Sequence, residues 1–172
     1  MRFVVISGLP GSGKTTLARR LAPALNLPLI DKDDILDRLF EEKGIGDAAW
    51  RRALSRESDA ILQREAEASN GAVLVSFWHL PGMPVDSGTP TKWLTDVINI
   101  QCVCPPDLAV TRFRQRTRHA GHLDAAGSPD ASIRDLARLP PLDIQPRIDV
   151  DTSGQVNVED LVREIESRSR CG

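Results

Sequence analysis

Apolar and polar residues alternate along this chain in two different rhythms. Five short stretches are nearly continuous apolar or β-branched runs: residues 2–7 (RFVVIS), 28–31, 72–77, 97–103 and 147–151. Runs of this length and composition predict β-strands. Between them, apolar residues recur every three or four positions, as at Leu17, Leu21 and Leu25. That spacing predicts helices over 14–24, 33–42, 47–69, 107–118 and 158–168, with shorter ones over 91–95 and 132–139. Pro23 is expected to end or kink the first of them. Strands alternating with helices predict an α/β fold with a parallel, doubly wound sheet. The lack of polar alternation inside the strands predicts that both sheet faces are covered. In such sheets a ligand sits at the carboxyl ends of the strands, so the residues just after each strand are the ones to weigh.

After the first strand comes Gly8-Leu9-Pro10-Gly11-Ser12-Gly13-Lys14-Thr15, followed by Thr16. The spacing G-x-x-x-x-G-K-[ST] is that of a phosphate-binding P-loop. Its glycines let successive backbone N–H groups turn inward as a nest for an anion. Lys14 is expected on the β- and γ-phosphates and the Thr15 hydroxyl on Mg²⁺. The helix that begins here points its N-terminal dipole at the same phosphates. A strand before and a helix after the motif make a chance Gly-rich turn the weaker reading.

After the second strand, Asp31, Asp33 and Asp34 put three acids in four residues. One is enough to cap the helix over 33–42, and Asp33 or Asp34 is the expected cap. The surplus points to chemistry: one carboxylate, Asp33, to accept the proton of an attacking hydroxyl, and a second to position substrate or metal-bound water. Phe77, Trp78 and His79 follow strand three, where they either line an acceptor pocket or plug the core beneath it. After strand four, Arg112, Arg114, Arg116 and Arg118 lie within seven residues. Arg112 and Arg116, four apart on the predicted helix, share a face and are expected over the nucleotide. The small and polar residues that follow suggest a closing lid over about 112–130, so Arg118 is also a candidate at the acceptor. His119 and His122 lack the partners of a zinc site.

Composition narrows the reading without redirecting it. The chain has 172 residues, 41% of them hydrophobic, enough for one domain with a real core over 1–172. No apolar run approaches the length of a membrane span, and no secretion signal is visible, which suggests a cytoplasmic protein. The formal charge of −2 gives no general attraction to nucleic acid. Cys102, Cys104 and Cys171 read as reduced cysteines, not as a disulfide or metal framework.

Together these residues resemble the small P-loop kinases that phosphorylate a hydroxyl: the kinase domain of polynucleotide kinase, chloramphenicol phosphotransferase, zeta-type toxins, and gluconate and shikimate kinases. The similarity covers nearly the whole chain and lies in SGLPGSGKTTLARRLA, LIDKDDI, PPDLAVTRFRQRTRH and IDVDTSG. It implies a three-layer α/β/α P-loop NTPase fold with a five-stranded parallel sheet and a lid. It implies ATP and Mg²⁺ as cofactors, Asp33 as the catalytic aspartate, Arg112 and Arg116 as lid arginines, and Thr152, Ser153 and Gly154 along the base. Asp34, Arg38, Trp78, His79 and Arg118 are the acceptor-side candidates. Two departures stand out. Leu36 occupies the place where polynucleotide kinase-like relatives often carry a phosphate-binding arginine, and Ser76 the place of an acid late in strand three. The expected function is transfer of the γ-phosphate of Mg·ATP to a hydroxyl of a small molecule. The alternatives are a 5′-hydroxyl polynucleotide kinase and a nucleotide-binding switch that phosphorylates nothing.

Overall fold

The computed structural model describes residues 2–123 and 129–169. The part of the expected lid at 124–128, and Cys171, lie outside the described residues. Five strands, β1 (Phe3–Gly8), β2 (Leu29–Asp31), β3 (Ala72–Val75), β4 (Val97–Val103) and β5 (Arg147–Asp151), form one sheet in the order β2-β3-β1-β4-β5. Every pairing is parallel. The helices are α1 (Lys14–Ala24), α2 (Lys32–Lys43), α3 (Ala48–Ala68), α4 (Pro106–Gln115), α5 (Pro129–Leu136) and α6 (Val158–Ser169).

The apolar runs are continuous because alternate residues serve opposite cores. Val4, Ile6, Val73, Ile98, Ile100 and Ile148 pack with Leu17, Leu21, Leu161 and Ile165 of α1 and α6. Phe3, Val5, Ile30 and Leu74 face the other way, onto Leu36, Leu39, Phe40, Leu54 and Leu62 of α2 and α3. Leu21, Leu36, Leu54 and Leu62 are fully buried, each worth about 2 kcal/mol of transfer free energy. Pro23 sits in the last turn of α1, which ends one residue later.

Four elements differ from expectation by more than one residue. Residues 91–95 form only a turn, in which Leu94 N–H reaches the Thr91 carbonyl. Strand three stops at Val75, because Phe77 gives its carbonyl to Thr89 N–H, in the loop that leads back to β4. The helix expected over 132–139 runs from Pro129 to Leu136. Helix α4 ends at Gln115 and Arg116 is extended, so Arg112 and Arg116 do not share a helix face.

Candidate active site

The carboxyl ends of β1 and β2 bring the first site residues together. Between β1 and α1 the P-loop turns through Gly11 (φ +82°) and Gly13 (φ +91°). A Cβ on Gly11 would stand 2.1 Å from the Ala109 carbonyl oxygen, so the loop rests directly on α4. Gly13 caps α1 in the left-handed conformation with no side-chain bond. That leaves the first-turn N–H groups, flanked by Pro10, Ser12 and Thr16, to an anion. Lys14 Nζ donates to the carbonyls of Gly8 and Leu9, both at 2.8 Å. Burial lowers the Lys14 pKa. Cys102, Asp33 and Asp31 oppose that shift, and the positive charge of Arg116 adds to it.

The Thr15 hydroxyl donates to Asp31 Oδ2 at 3.0 Å, and Asp31 Oδ1 accepts the Asp33 N–H at 2.9 Å. Asp31 is therefore the N-cap of α2, where Asp33 or Asp34 was expected. An extended residue preceding the first turn has the geometry a cap needs, and the last strand residue supplies it. Burial pushes the Asp31 pKa up to about 6. The neighbouring charges of Asp33 and Asp34 add to the rise, and the bonds from Asp33 N–H and Thr15 oppose it. A hydroxyl and a buried carboxylate side by side are hard oxygen donors. They suit Mg²⁺, which takes one or two protein oxygens and keeps water for the rest.

The three acids take separate places. Asp33 is half-exposed, with Oδ2 at 2.5 Å from Arg118 Nη2. Asp34 meets Arg19 at 3.4 Å on the surface. Arg38 of α2 pairs with Glu65 of α3 at 3.3 Å on the surface. Arg112 Nη1 and Nη2 donate to the carbonyls of Thr152 (2.8 Å) and Ser153 (2.9 Å), tying α4 to the loop after β5. Beneath this bridge lies a cleft of about 250 Å³, lined among others by Gly13, Thr16, Arg20, Arg112, Thr152 and Gly154. The Thr152 hydroxyl is already committed to the Val103 carbonyl. The Arg116 guanidinium stacks 3.8 Å above the Phe113 ring.

Of the residues after strand three, Phe77 is exposed, and the next two are tied to neighbouring backbone. Trp78 is 2% exposed and its indole N–H donates to the Ile6 carbonyl at 2.8 Å. His79 Nδ1 lies 2.5 Å from the Ser87 carbonyl. Ser76 hydrogen-bonds the Thr89 hydroxyl. Thr89 donates in turn to Asp59 Oδ1 (2.5 Å), which also holds the buried Lys32 ammonium at 2.6 Å. Burial lowers the Lys32 pKa and the Asp59 carboxylate opposes the shift. Sequence reading missed this network. Its one visible signal is a lysine placed between Asp31 and Asp33, whose side chain must leave in another direction. Cys102 and Cys104 are free thiols.

A five-stranded parallel sheet with this P-loop between its central strand and α1 is the P-loop NTPase fold. A family model described as an AAA domain matches residues 3–75. Shikimate kinase of Corynebacterium glutamicum is 42% identical over 79 residues, 41% of this chain and 43% of that enzyme. Cytidylate kinase of Methanosarcina mazei is 28% identical over 115 residues, 67% of this chain and 63% of that enzyme. The matched part thus spans less than half the length of the shikimate kinases it matches first. Among solved structures, a protein from Chloroflexus aurantiacus assigned as a kinase superposes with a TM-score of 0.74 at 25% identity, over 96% of this chain and 97% of that one. Shikimate kinase from Acinetobacter baumannii in complex with shikimate shares the fold, with a TM-score of 0.56 at 17% identity over 97% and 92% of the two chains. Similarity in sequence to small kinases thus covers part of the chain, and the superpositions extend the shared fold over nearly all of it.

Proposed function

We propose that the protein transfers the γ-phosphate of Mg·ATP to a hydroxyl of a small-molecule acceptor. One observation carries the reading: the P-loop lysine and threonine converge with two carboxylates at the start of α2, Asp31 bonded to Thr15 and Asp33 half-exposed and paired with Arg118. The P-loop amides and Lys14 bind the phosphates, and the cleft under Arg112 takes the base. Thr15 directly and Asp31 through water would hold Mg²⁺, which when bound neutralises charge on the β- and γ-phosphates.

Asp33 takes the proton of the acceptor hydroxyl as its oxygen bonds to the γ-phosphorus. The bond from that phosphorus to the bridging oxygen breaks, and ADP departs with the electron pair. Arg116 and Arg118 supply positive charge beside the transferring group. The helix-capping bond from Asp33 N–H to Asp31 orients both acids from one turn of backbone. The relatives named above include kinases of a hydroxy acid and of a nucleotide, so the group alone does not choose the acceptor.

The test is ADP release from Mg·ATP across sugar acids, shikimate, sugars, nucleosides, nucleoside monophosphates and a 5′-hydroxyl oligonucleotide, with Asp33→Asn beside the parent protein. A small-molecule hydroxyl that raises turnover, with the rise abolished in Asp33→Asn, supports the proposal. Turnover raised only by a nucleoside monophosphate or an oligonucleotide end would replace it. A basal rate that no acceptor and no Asp33 substitution changes would favour a nucleotide-binding switch.

A further inference from the structure

After α4 ends at Gln115, the chain runs back across the base-bearing helix. Asp33, Asp37 and Phe40 stand at i, i+4 and i+7 and share one face of α2. Residues 118–122 lie along that stripe. Arg118 Nη2 is 2.5 Å from Asp33 Oδ2, and His122 Nε2 is 2.6 Å from Asp37 Oδ1. The His119 ring stacks on Phe40, with centroids 5.2 Å apart and planes 11° apart. The His122 ring meets Phe40 edge-on at 5.3 Å. Gly121 lies so close that a Cβ there would come within 2.5 Å of the Phe40 ring. No other residue type fits that position without moving the ring.

We infer that His122 is a positioning residue: seated on Phe40 and bonded to Asp37, it clamps residues 118–122 along α2 and thereby holds Arg118 against Asp33. The inference rests on the reading of Asp33 as proton acceptor. His122 touches no reacting atom and acts through Arg118.

The chemistry of the clamp follows from its protonation. The Asp37 carboxylate only accepts, so the proton shared with it is carried by Nε2 and Nδ1 is bare. Nδ1 is buried with no hydrogen-bond partner among the described residues, and the His122 side chain is only 1% exposed. A second proton would therefore create a buried donor without an acceptor. Around the ring, α2 presents Asp33 and Asp37, and the docked segment presents Arg118 and, across Phe40, His119. Burial and the Arg118 charge lower the His122 pKa, against the opposing pull of Asp33 and Asp37. The docked segment binds this proton more weakly than the free one. Docking is therefore complete above the ordinary histidine range and is lost as pH falls through the lower, docked value.

Hydrogen exchange of the full chain, read on peptides spanning 113–123 and corrected for intrinsic rates, tests this at about pH 7.5 and about pH 5. In the parent protein, exchange at 118–122 accelerates at the lower pH. His122→Phe keeps the contact with Phe40 but loses the bond to Asp37. It is expected to open about tenfold more at neutral pH, with no further step on acidification. His122→Gln restores a donor toward Asp37 and is expected to stay docked at both pH values. If the group-transfer reading holds, His122→Phe also lowers kcat, because Asp33 loses Arg118. KM for ATP is expected to be unchanged. Exchange at 118–122 that ignores pH, or is the same in His122→Phe as in the parent, overturns the inference. A fall in kcat without increased exchange overturns it too. Exchange is read without turnover, so the clamp can pass or fail whether or not the protein transfers phosphate.

Discussion

Asp31→Asn is expected to make the ligand-free protein more stable at neutral pH while weakening its grip on Mg·ATP. Burial raises the Asp31 pKa from 3.8 to about 6. The folded protein therefore binds this proton more readily than the unfolded chain, so the contribution of Asp31 is most favourable below pH 3.8 and is lost as pH rises through about 6. The full difference is worth about 3 kcal/mol against the fold at neutral pH. Asparagine has the same shape and caps a helix about as well as aspartate. It gives up the carboxylate's attraction to the α2 N-terminus, about 0.5–1 kcal/mol. The net gain at about pH 7.5 is then about 2 kcal/mol, which is roughly a 1 M rise in the urea midpoint for a slope near 2 kcal/mol/M. Near pH 4 the proton is bound in both states for much of the time, and the gain should vanish. Urea titrations of both proteins at the two pH values, with Mg·ADP affinity by calorimetry, make the comparison. A variant no more stable than the parent at neutral pH, or one whose gain is the same at both, would refute this account of Asp31.

Two further outcomes follow from the core beneath the site. Lys32→Met leaves the Asp59 carboxylate, 19% exposed, with its Thr89 bond but without the lysine's charge. The expected cost is about 3–5 kcal/mol, and the double variant Lys32→Met/Asp59→Leu should recover most of it in the same urea titration. Gly11→Ala puts a Cβ 2.1 Å from the Ala109 carbonyl at a φ of +82°. The P-loop must shift off α4, with strain of about 1–3 kcal/mol, and calorimetry should show Mg·ADP affinity falling with little loss of helix content.

Much of the fold was legible because it rests on local patterns. Each of the five apolar runs carries one of the five strands, and the helical spacing from Lys14 to Ala24 is α1 to the residue. The P-loop was legible because its chemistry is contiguous: eight successive residues carry both the turn and the ligand groups. What the sequence hid depends on tertiary partners. Whether Trp78 lines a pocket or plugs a core turns on the Ile6 carbonyl, 72 residues away in the chain. Where α4 ends turns on a segment that leaves its helix to lie on Phe40. The Lys32–Asp59–Thr89 network joins three elements, and no spacing rule connects them.

The acid-rich start of α2 shows how one turn of helix separates tasks that like charges would otherwise prevent. Asp31, Lys32, Asp33 and Asp34 are consecutive, and four successive residues at the mouth of a helix fan around its axis. Asp31 points to Thr15, Asp33 to Arg118, Asp34 to Arg19, and Lys32 to Asp59. Each carboxylate thus meets its own hydrogen-bond or cationic partner, while the lysine pins the turn from behind. Burial raises the Asp31 pKa, and the charges of Asp33 and Asp34 add to the rise. A carboxylate held in that condition gains most from a cation placed beside it. The instability predicted for the ligand-free protein and the affinity proposed for Mg·ATP are therefore one property of the same residue, and Asp31→Asn should change both in opposite directions.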